Sequence, residues 1–135
     1  KLIDNATKLA REAGLHRMEA IGLAIRARID QINGDSLRAA DGLERALWLL
    51  ERYSAELVDR IVILSTQVMV LDALGQPERA RTIEKALRKK MRKENEHIEG
   101  ATLRRRHRLA TTRLLESALS AEGPVFPRSA KLPNE

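Results

Sequence analysis

Two stretches of this chain echo each other at a spacing of about forty residues, and that period limits the fold more than any other feature. Ile32-Asn33-Gly34-Asp35-Ser36-Leu37-Arg38-Ala39 leads into Leu43-Glu44-Arg45-Ala46-Leu47. Leu74-Gly75-Gln76-Pro77-Glu78-Arg79-Ala80 leads into Ile83-Glu84-Lys85-Ala86-Leu87. In each copy a glycine stop is followed at once by a helix start. Apolar residues then recur every three or four positions, as one helix face requires. One helical hairpin cannot bury its apolar face alone, so repeated hairpins stack on each other. The expected fold is all-α: a right-handed α-solenoid of about six antiparallel helices with a period of about 40.

Composition points the same way. Aromatic residues make up 2% of the 135, namely Trp48, Tyr53 and Phe126. All-β folds draw on aromatic and β-branched residues, whereas Ala, Leu, Arg and Glu dominate here and form helices well. There is no cysteine, which removes disulfides, zinc-thiolate sites and thiol catalysis and fits a cytoplasmic location. The most apolar stretch, residues 61–74, contains Ser65, Thr66, Gln67 and Asp72 and is shorter than the roughly 20 apolar residues of a membrane span. No membrane partner is expected. The chain starts at Lys1 within a helical pattern, so a fragment of a longer protein is expected.

The pattern predicts helices over residues 2–13, 16–32, 36–53, 55–74, 78–94 and 101–121. Gly14 suits the position after the first helix, Asp35 or Ser36 can cap the third, and Ser54 the fourth. The first helix should turn Leu2, Ile3, Ala6, Leu9, Ala10 and Ala13 inward. The second should use Ile21, Leu23, Ala24, Ala27 and Ile32, and the third Leu37, Ala40, Leu43, Ala46, Leu47 and Leu50. The fourth is apolar nearly all round and should be central. The sixth should bury Leu103, Leu109, Ala110, Leu114, Leu115 and Leu119. Residues 1–121 form the helical domain, and 122–135, with three of the four prolines, form a tail.

Close helix packing needs small residues. Ala39, Leu43 and Ala46 share one face in a small–large–small pattern that fits a ridge into a groove. In the second copy Ala80, Ile83 and Leu87 take these places with a looser fit. The pattern resembles the second helix of a tetratricopeptide repeat, over residues 23–50 and 64–87. The Trp, Gly and Tyr positions of that family's first helix are not filled as such, no proline closes either repeat, and the period exceeds the family's about thirty-four. The longer period, with Leu9-Ala10-Arg11-Glu12-Ala13-Gly14, Gly34-Asp35 and Leu43-Glu44-Arg45-Ala46-Leu47, resembles the sensor region of maltose-regulator-like, LuxR-type ATP-dependent transcription activators. The resemblance implies a non-catalytic module of a multidomain bacterial signalling or transcription regulator. It would bind a protein, a peptide, another domain of the same polypeptide or a small inducer, without a cofactor. First helices line the inner wall in that class, which makes Arg26, Asp30, Gln67 and Asp72 the expected groove residues. Exposed solenoid ends could also pair two copies.

Charge is concentrated rather than spread. The chain carries a net +6, and residues 79–113 hold thirteen Lys or Arg against Glu84, Glu94, Glu96 and Glu99. Arg81, Lys85, Arg88, Lys89 and Arg92 lie on the fifth helix, and Arg104, Arg105 and Arg108 on the sixth. Such a run suits a solvated face, a dock for an acidic protein surface, or a phosphate-binding face. The alternative function is therefore a basic helical nucleic-acid-binding domain centred on residues 79–113. No aromatic is interleaved for base stacking, so it ranks below protein binding.

Catalysis finds no support. His16, His97 and His107 are scattered. Glu94, Glu96, His97 and Glu99 cluster, yet His97 lacks the second His that a helical zinc site uses, so no metal is expected. No nucleophile turn or phosphate-cradling glycine loop is present. Trp48, beside Leu47 and Leu49, is expected in the core rather than at a binding hot spot.

Overall fold

The computed structural model describes residues 2–53, 56–98 and 100–120. The elements among them are α1 (Leu2–Glu12), α2 (His16–Ile32), α3 (Ser36–Tyr53), α4 (Leu57–Ala73), α5 (Pro77–Glu96) and α6 (Ala101–Leu119). The chain is all-α, as the period implies. The Ser54 cap and the 122–135 tail lie outside the described residues.

The repeated glycines end their helices by the same device. At Gly34 (φ +84°) the Asp35 N–H donates to the Asp30 carbonyl at 2.9 Å, and the Gly34 N–H to Gln31 at 3.0 Å. At Gly75 (φ +76°) the Gln76 N–H reaches Leu71 at 2.9 Å, and the Gly75 N–H reaches Asp72 at 3.1 Å. Positive φ closes this paired arrangement, and glycine adopts it without a Cβ clash. The next residues restart the helix. Asp35 Oδ1 accepts the Arg38 N–H at 3.1 Å, and Pro77 sits in the first turn of α5, where a missing N–H costs nothing.

α4 is the hub. It packs against α2, α3, α5 and α6, and Ile61, Val62, Ile63, Val68, Val70 and Leu71 are all buried. α2 packs against α1, α3 and α4. Even-numbered neighbours thus touch (α2 with α4, α4 with α6), while among the described residues α1 does not touch α3, nor α3 α5. Ala39, Leu43 and Ala46 are buried in one cluster with Ala20, Ala24 and Ala27 of α2 and Val62 and Ile63 of α4. The second copy is split. Ala80 packs with Val68 and Leu71, with Ile83 partly buried beside them, and Leu87 joins Ile61, Met91 and Leu115.

Several expected core residues face water. Leu37 is 75% exposed, and Leu2, Ala6, Leu9, Ala13, Ile32, Leu103, Leu109 and Ala110 are exposed too. α1 touches only α2 among the described residues, so one narrow face suffices, and Thr7 and Ala10 supply it. α6 buries Thr111, Leu115 and Ala118, and residues before His107 are exposed all round. In α2 the close neighbours select Ala20, Gly22, Ala24 and Ala27, which displaces Ile21, Leu23 and Ile25 to the margins.

Ion pairs stitch these helices. Glu19, 1% exposed, accepts from Arg45 of α3 at 2.5 Å and from Arg11 of α1 at 2.9 Å. The Arg45 hydrogen bond, opposed by burial and aided by Arg11, lowers its pKa below the ordinary carboxyl value. Arg17 of α2 binds both carboxylate oxygens of buried Asp59 of α4, at 2.7 and 3.3 Å. Arg28 has no such partner. It is 3% exposed, donates from Nη1 to Thr66 Oγ1 at 3.3 Å, and leaves Nε and Nη2 without partners among the described residues. Burial lowers its pKa.

Candidate functional site

The turn of about 100° per residue that points Ala46, Leu49 and Leu50 inward swings Trp48 off the core face of α3. Trp48 is 46% exposed, so the expected core position is corrected. Two of its neighbours one turn away are arginines. The Arg52 guanidinium lies 4.6 Å from the ring centroid and that of Arg45 5.7 Å. Tyr53 meets Trp48 edge-on at 6.2 Å, and His16 from the start of α2 stacks on Tyr53 at 3.8 Å with 14° between planes. Each contact contributes about 0.5–1.5 kcal/mol. That is enough to fix the rings in place while nearly half of the indole still faces water.

This aromatic ridge joins two grooves. One, of about 610 Å³, runs between α3 and α5 over α4, with Trp48, Arg52, Arg60, Gln67 and Ile83 in its walls. Arg60 leaves its buried Nε without a hydrogen-bond partner there. The other, of about 480 Å³, lies at the α1–α2 turn, with Leu15, His16, Met18, Ile21 and Tyr53 in its walls. Leu15 and Met18 are exposed large apolar side chains, as is Val58 at the start of α4. Among the described residues neither Arg52 nor Arg60 has a carboxylate partner, and Glu51 is the acid in the first groove. The surface is therefore apolar and aromatic at its centre, with spare positive charge at its edge.

Of the four groove residues expected from sequence, only Gln67 lines this groove. Arg26 and Asp30 come together at 3.4 Å elsewhere, in a network with Asp4 (3.0 Å from Arg26) and Arg38 (3.8 Å from Asp30). Asp72 is exposed near the end of α4. In the basic segment Arg81 pairs with Glu78 at 2.5 Å, and Arg88 pairs with Glu84 at 3.1 Å and Glu116 at 3.3 Å. Lys85, Lys89, Arg92, Arg104, Arg105 and Arg108 are exposed. Arg88, Arg92 and Arg108, drawn from both basic clusters, line one cavity between α5 and α6. Sequence reasoning missed the His16–Tyr53 stack, because the two residues meet only through tertiary packing. The signal available was the clustering of two of the chain's three aromatics, Trp48 and Tyr53, at the end of one helix.

Among the described residues no three His, Asp or Glu side chains converge as metal ligands would, and no helix is long and apolar enough to cross a membrane. No protein-family model, curated protein or solved structure matches this chain.

Proposed function

We propose that the chain is a non-catalytic binding module, a stack of helical hairpins that takes a protein or peptide segment on the Trp48–Tyr53 ridge. The resemblance to tetratricopeptide-like sensor regions is the ground for placing it in a multidomain cytoplasmic signalling or transcription regulator. The ion pairs support antiparallel hairpins, since Asp30 near the end of α2 meets Arg38 near the start of α3, and Glu19 near the start of α2 meets Arg45 well along α3. Contacts between α2 and α4 and between α4 and α6, with none between α1 and α3 or α3 and α5, support first helices forming an inner layer and second helices an outer one. A right-handed solenoid is the reading consistent with both.

One observation carries the functional part: the sole tryptophan of the chain is half-exposed between two grooves and flanked by Arg52, which has no carboxylate partner among the described residues. Aromatic and arginine side chains dominate binding energy where they can be desolvated together. The occupant that fits is a short segment with an apolar anchor beside acidic residues. Selecting displayed peptides on the wild-type chain tests this. Recovered peptides should combine an apolar anchor with Asp or Glu, and their affinity should fall at least about tenfold on Trp48→Ala, the loss typical of a hot-spot aromatic. Peptides that bind Trp48→Ala and Tyr53→Ala as well as wild type would refute it.

A further inference from the structure

Some arginines of this chain are held by carboxylates and others are not. On α1, α2 and α3, Arg11, Arg17, Arg26, Arg38 and Arg45 are each held by a carboxylate. On α5 and α6, Arg92 and Arg108 have no ion-pair partner among the described residues, although both line the same cavity of about 400 Å³. Helix geometry explains the convergence. Arg88, Arg92 and Asn95 are spaced four and three apart on one face of α5, and Thr111 and Thr112 lie three and four residues after Arg108 on the facing side of α6.

Donors outnumber acceptors in this cavity. Arg88 is already engaged by Glu84 and Glu116, and the Thr111 hydroxyl donates to the backbone carbonyls of His107 and Arg108. Thr112 and the Asn95 amide have no side-chain hydrogen bond among the described residues, and Asn95 Oδ1 is buried without a partner. Among the described residues Glu96 is the acid in the wall. Two guanidinium groups, a free hydroxyl and the Asn95 amide N–H groups thus line a space whose own acceptors, Glu96 and Asn95 Oδ1, are fewer. Guanidinium groups that share a cavity suit a tetrahedral oxyanion, whose several oxygens can each accept N–H bonds.

We infer that the cavity between α5 and α6 is a binding site for the phosphate group of a small phosphate monoester, held by Arg92 and Arg108 with Asn95 and Thr112. A duplex fits less well, because the donors converge within a cleft rather than tracking along a face. The cations outside the cleft that have no ion-pair partner among the described residues, Lys89, Lys93 and Arg105, then serve only to raise the local concentration of anions. This site is separate from the aromatic ridge, and its variants leave Trp48 and Tyr53 untouched, so either reading can fail without the other.

The test is a titration of the full chain at low ionic strength with glucose 6-phosphate, read by NMR at the Asn95 and Thr112 amides. Inorganic phosphate, glucose and a short DNA duplex are run alongside. Circular dichroism at 222 nm checks that each variant stays helical, as the exposure of Arg92, Lys93, Arg105 and Arg108 leads one to expect. Glucose 6-phosphate should saturate the site. Arg92→Gln and Arg108→Gln should each weaken it at least about tenfold, the loss of one charge-assisted bond, while Lys93→Gln and Arg105→Gln should stay within about twofold. Inorganic phosphate should show the same ranking of variants, and glucose should not bind. Absence of saturation by about 10 mM glucose 6-phosphate overturns the assignment. Equal weakening by all four variants, or binding of the duplex alone, also overturns it and indicates a diffuse nucleic-acid face.

Discussion

Gly22 sits in the middle of α2, packed against Thr7 of α1. A Cβ built on it would lie 2.2 Å from Thr7 Oγ1 and 3.2 Å from Thr7 Cβ, about an ångström inside ordinary contact for the first of these. Thr7 is buried, and its hydroxyl donates to the Ile3 carbonyl at 2.7 Å. Gly22→Ala therefore forces one of two responses: Thr7 rotates and gives up that bond, or α1 moves outward. Overpacking of this kind costs about 1–3 kcal/mol, and the lost hydrogen bond adds about 1. Replacing a mid-helix glycine with alanine returns about 1 kcal/mol of helix propensity. The net expectation is a loss of about 1–3 kcal/mol. α1 packs only on α2 among the described residues, so detachment of α1 caps the cost and appears first. Urea unfolding followed at 222 nm measures the global term, and hydrogen exchange at the Thr7 and Ala10 amides measures the release of α1. The double variant Thr7→Ala with Gly22→Ala removes the obstructing oxygen, so in that background Gly22→Ala should be neutral or stabilising by up to about 1 kcal/mol. If Gly22→Ala alone stabilises the wild-type chain by the propensity term, the contact is not as close as described and the reasoning fails.

The packing and the ion pairs lead to three further outcomes. Ala39 has no exposed surface and lies among Ala24, Leu43 and Val62, so Ala39→Leu should cost about 1–3 kcal/mol in urea melts, whereas Ala101→Leu, on the exposed start of α6, should change little. The depressed pKa of Glu19 means that its pairing with Arg45 and Arg11 contributes fully above the ordinary carboxyl value of about 4.3 and is lost as pH falls through the lower folded value. Wild type should therefore lose stability relative to Glu19→Gln on acidification below about pH 4.3, and parallel pH–stability curves for the two would count against the pairing. Arg28→Met should raise stability by about 1–3 kcal/mol, because it removes two buried donors without partners among the described residues and forfeits only the bond to Thr66; a lower unfolding midpoint would point to a compensating anion beside Arg28.

Element boundaries were legible because their causes are local. Gly14, Gly34 and Gly75 each sit at positive φ where a helix ends, and Asp35 and Pro77 begin the next one. The hub role of α4 was legible from its all-round apolar character. Burial faces were less so, because periodicity shows that a stripe exists and not how wide its partner is. Leu2, Leu9, Leu103 and Leu109 keep the helical period on helices that have few neighbours, and so they stay exposed. The aromatic ridge was illegible for a related reason. Trp48 stands between core-facing Leu47 and Leu49 in sequence, and only the rotation of α3 against α2 and α4 turns it outward. The expected groove failed to assemble because Arg26 and Asp30 satisfy each other within α2, leaving Gln67 in a different cleft. The basic clusters were visible as charge, but the cavity that joins Arg92 to Arg108 depends on how α5 meets α6.

The proposed binding face can be read directly, because the chain has a single tryptophan and hence a single indole N–H resonance. On titration with a selected acidic–apolar peptide, that resonance should shift and saturate together with the amides of Tyr53 and Ile83, while those of Arg26, Asp30 and Asp72 stay in place. Saturable movement at Arg26, Asp30 and Asp72 with an unmoved indole would contradict the account and return the binding face to the first helices of each pair.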